Sequence, residues 1–149
     1  MLSRTRDTFV ELAERPFQAN RQHADLFVSL HFNAAEGSGA KGVETYCLTP
    51  AHASSTNARG DGATTGAYPA NKLNDKNMAL AYQVQKALIR NVQVEDRGVR
   101  RARFAVLKSP DMPAILVECG FMTDPGEFKR ILNPAHRKKL AQEIGRAHV

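Results

Sequence analysis

The chain has 149 residues, 42% of them apolar and 24% charged, with a net charge of +6. That length is most simply one domain, able to bury about two-thirds of its unfolded surface, and the composition excludes a disordered or fibrous chain. No run of about 18 apolar residues occurs, so no membrane-spanning helix is expected. The amino-terminal stretch "MLSRTRDTF" lacks the apolar core of a secretory signal. The basic balance favours anionic partners such as nucleic acid, acidic lipid or the anionic polymers of a cell envelope. It does not choose among them, and a basic surface that only aids solubility fits equally well. Two cysteines, Cys47 and Cys119, make neither a disulfide framework nor a zinc ribbon. Both lie in apolar, strand-like surroundings, where a free thiol behaves as a small hydrophobe, and they leave the compartment undecided.

In chain order, "TFVELAERPFQANRQHA" carries Phe9, Leu12, Ala13, Phe17, Ala19 and Asn20 at mostly helical spacing. Thr8 is the expected cap, with Glu11 as its capping partner and the main helix running from Pro16. "DLFVSLHF" reads as a strand apolar on both faces, as in the middle of a mostly parallel sheet. A second strand, "GVETYCLT", follows the Gly-rich turn "EGSGAKG". Residues 49–77 are rich in Gly, Ala, Ser, Thr and Asn, which marks a long functional or mobile loop insertion. "MALAYQVQKALIRN" is an amphipathic helix with Leu80, Ala81, Val84, Leu88 and Ile89 on its core stripe. "GVRRARFAVL" suggests a strand entered through a basic turn, and "PAILVECGF" a strongly apolar strand ending at Glu118. The tail reads as two helices, with Pro134 near the start of the second. Strands alternating with helices predict an α/β domain with a largely parallel sheet.

In open α/β sheets, ligands bind beyond the carboxyl ends of the strands. Two strands end there in groups capable of catalysis: His31 closes "DLFVSLH" and Glu118 closes "PAILVE". A lone histidine at a strand end is more often structural, but a carboxylate after "ILV" is costly to bury without compensation. Together the two suggest a metal ligand and a general base, the arrangement of a metallohydrolase.

The ordered segments "SRTRDTFVELAERPFQAN", "ADLFVSLHFNA", "GVETYCL", "NDKNMALA", "DRGVRRARFAVLKSPDMPAILVECGFMTDPGEF" and "LAQEIGRA" cover almost the whole chain. In this order the chain resembles the catalytic domain of zinc-dependent N-acetylmuramoyl-L-alanine amidases of the AmiC/CwlV type, the amidase-3 family. The resemblance implies a single catalytic domain over residues 1–149, with a mostly parallel central sheet flanked by helices. It implies hydrolysis of the amide between N-acetylmuramic acid and L-alanine in peptidoglycan, within the cell envelope, periplasmic or extracellular. It makes His31 a Zn2+ ligand and Glu118 the catalytic glutamate that activates water and passes a proton to the leaving amine. Asn33 is expected to orient the His31 loop. Arg97, with Gly98, is expected at the cleft, where its guanidinium suits a stem-peptide carboxylate. Glu44 is expected near the site, ranked below Glu118. Arg6, Asp7, Arg15 and Asn20 read as ties of the strand–helix corner, and Arg100, Arg101 and Arg103 as an extension of the basic patch or a solvated face. Tyr68, Asn71 and Asp75 are candidate contacts in the insertion, which lacks the apolar stripe of a regulatory helix.

The family binds zinc through three protein ligands, and only His31 is visible. The others, a histidine in a glycine-rich turn and a glutamate on the next helix, precede the "TRD" element in the family, so they are expected upstream of Met1. His23, His52 and Glu44 have spacings that give no support for a substitute site. The chain is therefore expected to lack the first strand and helix of the family's domain, which exposes a sheet edge, and to be inactive alone if no other ligands are supplied. Two other readings stay open. One is a non-catalytic peptidoglycan-binding or regulatory remnant. The other is a nucleic-acid binder using "RGVRRAR", although no nucleic-acid motif accompanies the charge and nucleic acid is not an expected partner. Peptidoglycan is the expected partner, and an activator protein a further candidate.

Overall fold

The computed structural model describes residues 1–36, 39–56 and 66–147. Helix α1 spans Glu14–Arg21, strand β1 Phe27–Asn33 and β2 Val43–Leu48; α2 spans Asn74–Val92, β3 Asp96–Ala102 and β4 Ala114–Phe121; α3 (Pro125–Leu132) and α4 (Pro134–Arg146) close the chain. The sheet runs in the order β1-β4-β2-β3. The pairs β1–β4 and β2–β3 are parallel, and the central pair β2–β4 is antiparallel. The α/β class holds, with a mixed sheet in which two parallel pairs meet back to back.

Side-chain alternation divides the sheet into two faces. Val43, Cys47, Ile115, Val117 and Cys119 point to α2 and α4, where Leu80, Ala81, Val84, Leu88, Leu140 and Ile144 cover them. This is the stripe expected of α2, and both thiols are free and buried in it; burial pushes the Cys119 thiol up to about 12. On the opposite face Tyr46, Leu48, Ala114 and Leu116 pack with Ala70, Val106 and Leu107. The intervening even-numbered positions toward the other end of β2 and β4 are Glu44 and Glu118.

Several expected boundaries move. β1 is an edge strand rather than a central one, with Leu30 56% exposed; its apolar character on the helical face comes from Val28 and Phe32. β4 continues past Glu118 to Phe121, so Glu118 is set within the strand. Thr8 caps nothing: α1 begins after Ala13 without a side-chain cap, and Phe9, Leu12 and Phe17 are exposed while Pro16 and Ala19 are buried. The helix is instead tied down by Asn20, whose amide donates to Ser109 O and whose oxygen accepts from Asp111 N. Arg15 donates to Val10 O, whereas Arg6 and Asp7 are exposed. The insertion is shorter than its composition suggests, because a 3-10 turn over Pro69–Leu73 leads directly into α2. Residues 57–65 lie outside the described residues.

Candidate active site

Register brings three of the expected residues into one row. His31 on β1 is the neighbour of Glu118 on β4, and Glu118 is the neighbour of Glu44 on β2. Neighbours in register share a face, so an imidazole and two carboxylates stand side by side across three strands. The fourth strand adds Arg97. There β3 bulges, since Val43 pairs with Asp96 but Thr45 with Val99. Gly98, with φ of +80°, permits that extra residue.

The two carboxylates have opposite surroundings. Glu44 is 2% exposed. Its Oε1 accepts from Tyr46 Oη at 2.8 Å and Asn33 Nδ2 at 3.1 Å. Its Oε2 accepts from Arg97 Nε at 2.9 Å and forms an ion pair with Arg100, whose Nε lies 2.9 Å away and donates to Arg97 O. Glu118 Oε2, by contrast, is buried without a hydrogen-bond partner. Burial, and then the charge of Glu44, push the Glu118 carboxyl up to about 7. That places the carboxyl near neutrality, in the range a general acid–base needs.

His31 Nε2 lies 3.0 Å from Ser29 Oγ. Burial, then the positive charge of Arg15, lower its proton affinity and favour the neutral ring. The ring opens to a groove along β1 bordered by Arg4, Arg15 and Met122. Among the described residues no three His, Cys, Asp or Glu converge to hold a metal ion. The described donor set thus does not fit a zinc site by itself: His31 is one nitrogen donor, and His23 and His52 sit exposed on surface turns.

Asn33 spends its amide on Glu44 and its oxygen on Ala34 N. Arg103 is not part of the row; it donates to Ser55 Oγ and to the carbonyls of Pro50 and Ala53, fastening the start of the insertion. Arg101 is exposed. Asn71 bridges Tyr68 N, Thr49 O and Asn74, closing the same segment, and Asp75 lies in the first turn of α2. Sequence reasoning missed Tyr46 and Arg100 as partners of Glu44. It also missed Glu127, a buried carboxylate that accepts from Gly42 N at 2.9 Å and Phe121 N at 2.7 Å. Glu127 so ties the start of β2 to the end of β4 and holds the Glu44–Glu118 pairing. The alternation in "VETY", which puts Glu44 and Tyr46 on one face, was the available signal for Tyr46; nothing local signals Glu127.

The model of the N-acetylmuramoyl-L-alanine amidase family, Amidase_3, matches residues 1–147. The chain belongs to this family. It is 35% identical over 144 residues to the N-acetylmuramoyl-L-alanine amidase LytC of Bacillus subtilis, covering 97% of this chain and 25% of LytC. It is 30% identical over 164 residues to the amidase AmiC of Neisseria meningitidis, covering 96% of this chain and 39% of AmiC. The chain therefore spans well under half of either relative. A crystal structure of an N-acetylmuramoyl-L-alanine amidase from Clostridium difficile 630 matches with a TM-score of 0.79 at 36% identity, over 97% of this chain and 67% of that one. The fold expected from the sequence is thus the amidase fold.

Proposed function

We infer that this chain carries the catalytic glutamate and the adjoining substrate face of an N-acetylmuramoyl-L-alanine amidase acting on peptidoglycan in the cell envelope. The observation that carries the reading is the contrast within one row: Glu118 keeps a buried Oε2 without a hydrogen-bond partner beside Glu44, which is held by three hydrogen-bond donors and an ion pair. In the reaction, Glu118 takes a proton from the attacking water as oxygen bonds to the lactyl carbonyl carbon. It then delivers that proton to the nitrogen of L-alanine as the C–N bond breaks, leaving a muramoyl carboxylate and a free amine. His31 is the residue proposed to bind Zn2+, with further donors from outside the described residues. Helices long and apolar enough to cross a membrane are absent among the described residues. An activator protein belongs to the proposal as a further partner.

One observation favours a second reading, a non-catalytic peptidoglycan-binding chain: the described residues bring no three metal donors together. Metal analysis of the purified chain, combined with release of stem peptides from purified cell walls, separates the two. Release that disappears in Glu118→Gln supports the amidase. Wall binding with neither zinc nor release supports the binding chain. Release that survives Glu118→Gln removes Glu118 as the base.

A further inference from the structure

Residues 128–142 carry five cations and no carboxylate: Lys129, Arg130, Arg137, Lys138 and Lys139. Their charge of +5 nearly accounts for the +6 of the whole chain. The segment takes in most of α3 and the first turns of α4, which meet at Asn133. α3 turns Glu127 and Ile131 inward, so Phe128 and Leu132, one turn apart, stand outward beside the exposed Lys129. They are 43% and 58% exposed. Arg137 donates from Nη1 to the carbonyls of Ile131 and Leu132, at 2.7 Å each, which fixes a guanidinium at the carboxyl end of α3. Burial, then Arg130, lower the proton affinity of His136, and Lys139 adds to this against Glu127. Cations of both helices thus stand around one ring.

The bordering carboxylates are committed elsewhere. Glu127 accepts from Gly42 N and Phe121 N, Asp124 caps α3, and Glu143 holds Asn91 and Arg146. Glu95, which shares a shallow hollow with Arg130, pairs with Lys41. Among the described residues no ion pair engages Lys129, Lys138 or Lys139.

We propose that this α3–α4 face is a peripheral docking surface for an anionic lipid bilayer. Phe128 and Leu132 enter the headgroup boundary, and the cations around them meet the lipid phosphates. The inference goes beyond the amidase reading and does not depend on it. The mixed chemistry of the face selects the partner. A soluble phosphate polymer would engage the cations but leave the two apolar side chains in water. An anionic bilayer uses both: each lysine or arginine near its surface strengthens binding about fivefold, and its boundary with the acyl chains accepts exposed aromatic and aliphatic groups. Such a contact holds the chain at a lipid surface without a membrane-crossing helix, and none occurs among the described residues.

The test is co-sedimentation of the purified chain with phosphatidylcholine vesicles and with vesicles containing about one-third phosphatidylglycerol. The anionic vesicles should bind at least about tenfold more tightly. That preference should shrink between about 0.1 and 1 M salt, as the screening length falls from about 10 to 3 Å. Lys138→Glu combined with Lys139→Glu should weaken binding by about tenfold or more. The charge-matched pair Lys76→Glu with Lys86→Glu, exposed on α2, should stay within about threefold of the unmodified chain. Phe128→Ser combined with Leu132→Ser should weaken binding by about tenfold at constant charge. These four patch side chains are exposed, and thermal unfolding should show the fold intact in each variant. Equal binding to both vesicle types, binding to neither, or an equal loss from the α2 pair overturns the proposal. Binding that ignores the serine pair and is abolished by soluble polyphosphate assigns the face to a phosphate polymer, and overturns the bilayer as its partner.

Discussion

Glu44 and Glu118 are cross-strand neighbours of the same residue type, facing the same way from β2 and β4. One is locked by three donors drawn from β1, β2 and β3 and by an ion pair with Arg100; the other keeps a buried oxygen with no partner. The difference shows how a sheet assigns roles. Strand order decides which carboxylate sits next to the arginines of β3 and which sits between an imidazole and another anion. A carboxylate saturated with donors is a fixed charge that organises its neighbours. A carboxylate deprived of them is a proton carrier.

The strongest way to break this comparison is to neutralise the proton carrier. If the amidase reading holds, Glu118→Gln should lower stem-peptide release by about 10²–10⁴-fold, while thermal unfolding shows the fold intact. Removing the fixed charge should instead strike the fold. Glu44→Ala removes the buried carboxylate that Arg97, Tyr46 and Asn33 donate to and that Arg100 pairs with, and urea unfolding should show a loss of about 3–5 kcal/mol. If Glu44→Ala is tolerated and Glu118→Gln destabilises, the roles have been assigned the wrong way round.

A pH series sharpens the contrast. Below about pH 4.5 the Glu118 carboxyl is protonated in both the folded and unfolded chain and costs nothing. Between that point and about 7 the unfolded chain releases the proton while the folded chain retains it, so stability falls as pH rises. Above about 7 the full cost is present. Glu118→Gln should therefore gain on the unmodified chain between pH 5 and pH 8, by about 1–2 kcal/mol once partial solvent screening is allowed for. A difference that stays flat with pH would falsify the raised proton affinity. The smallest effect concerns the support of the fixed charge. Phe104 meets the Tyr46 ring edge-on at 5.0 Å, and Phe104→Leu should lower stability by about 0.5–1.5 kcal/mol with the unfolding slope unchanged.

Much of the fold was legible because its signals are local. The apolar stripe of α2, the apolar run of β4 and Pro134 at the start of α4 each follow from a period or a backbone restriction that a few residues reveal. The errors fall where distant residues decide. An apolar run such as "DLFVSLHF" looks central in isolation, yet β1 lies at the sheet edge because β4 takes the place between it and β2. Thr8 had the pattern of a cap, but Asn20, reaching residues 109–111, fixes where α1 sits.

The sequence by itself determined the elements, the class of fold and the family, because hydrophobic period and ordered motifs are written along the chain. It also singled out His31 and Glu118, since a polar group following an apolar run is conspicuous without any partner in view. Only the tertiary structure decided that Glu44 stands beside Glu118, that Tyr46, Asn33, Arg97 and Arg100 converge on Glu44, and that Glu127 holds β2 to β4. The physical reason is that donor saturation and desolvation are properties of a place in space. Residues as far apart as positions 33, 44 and 97 share that place only after the sheet has chosen its order.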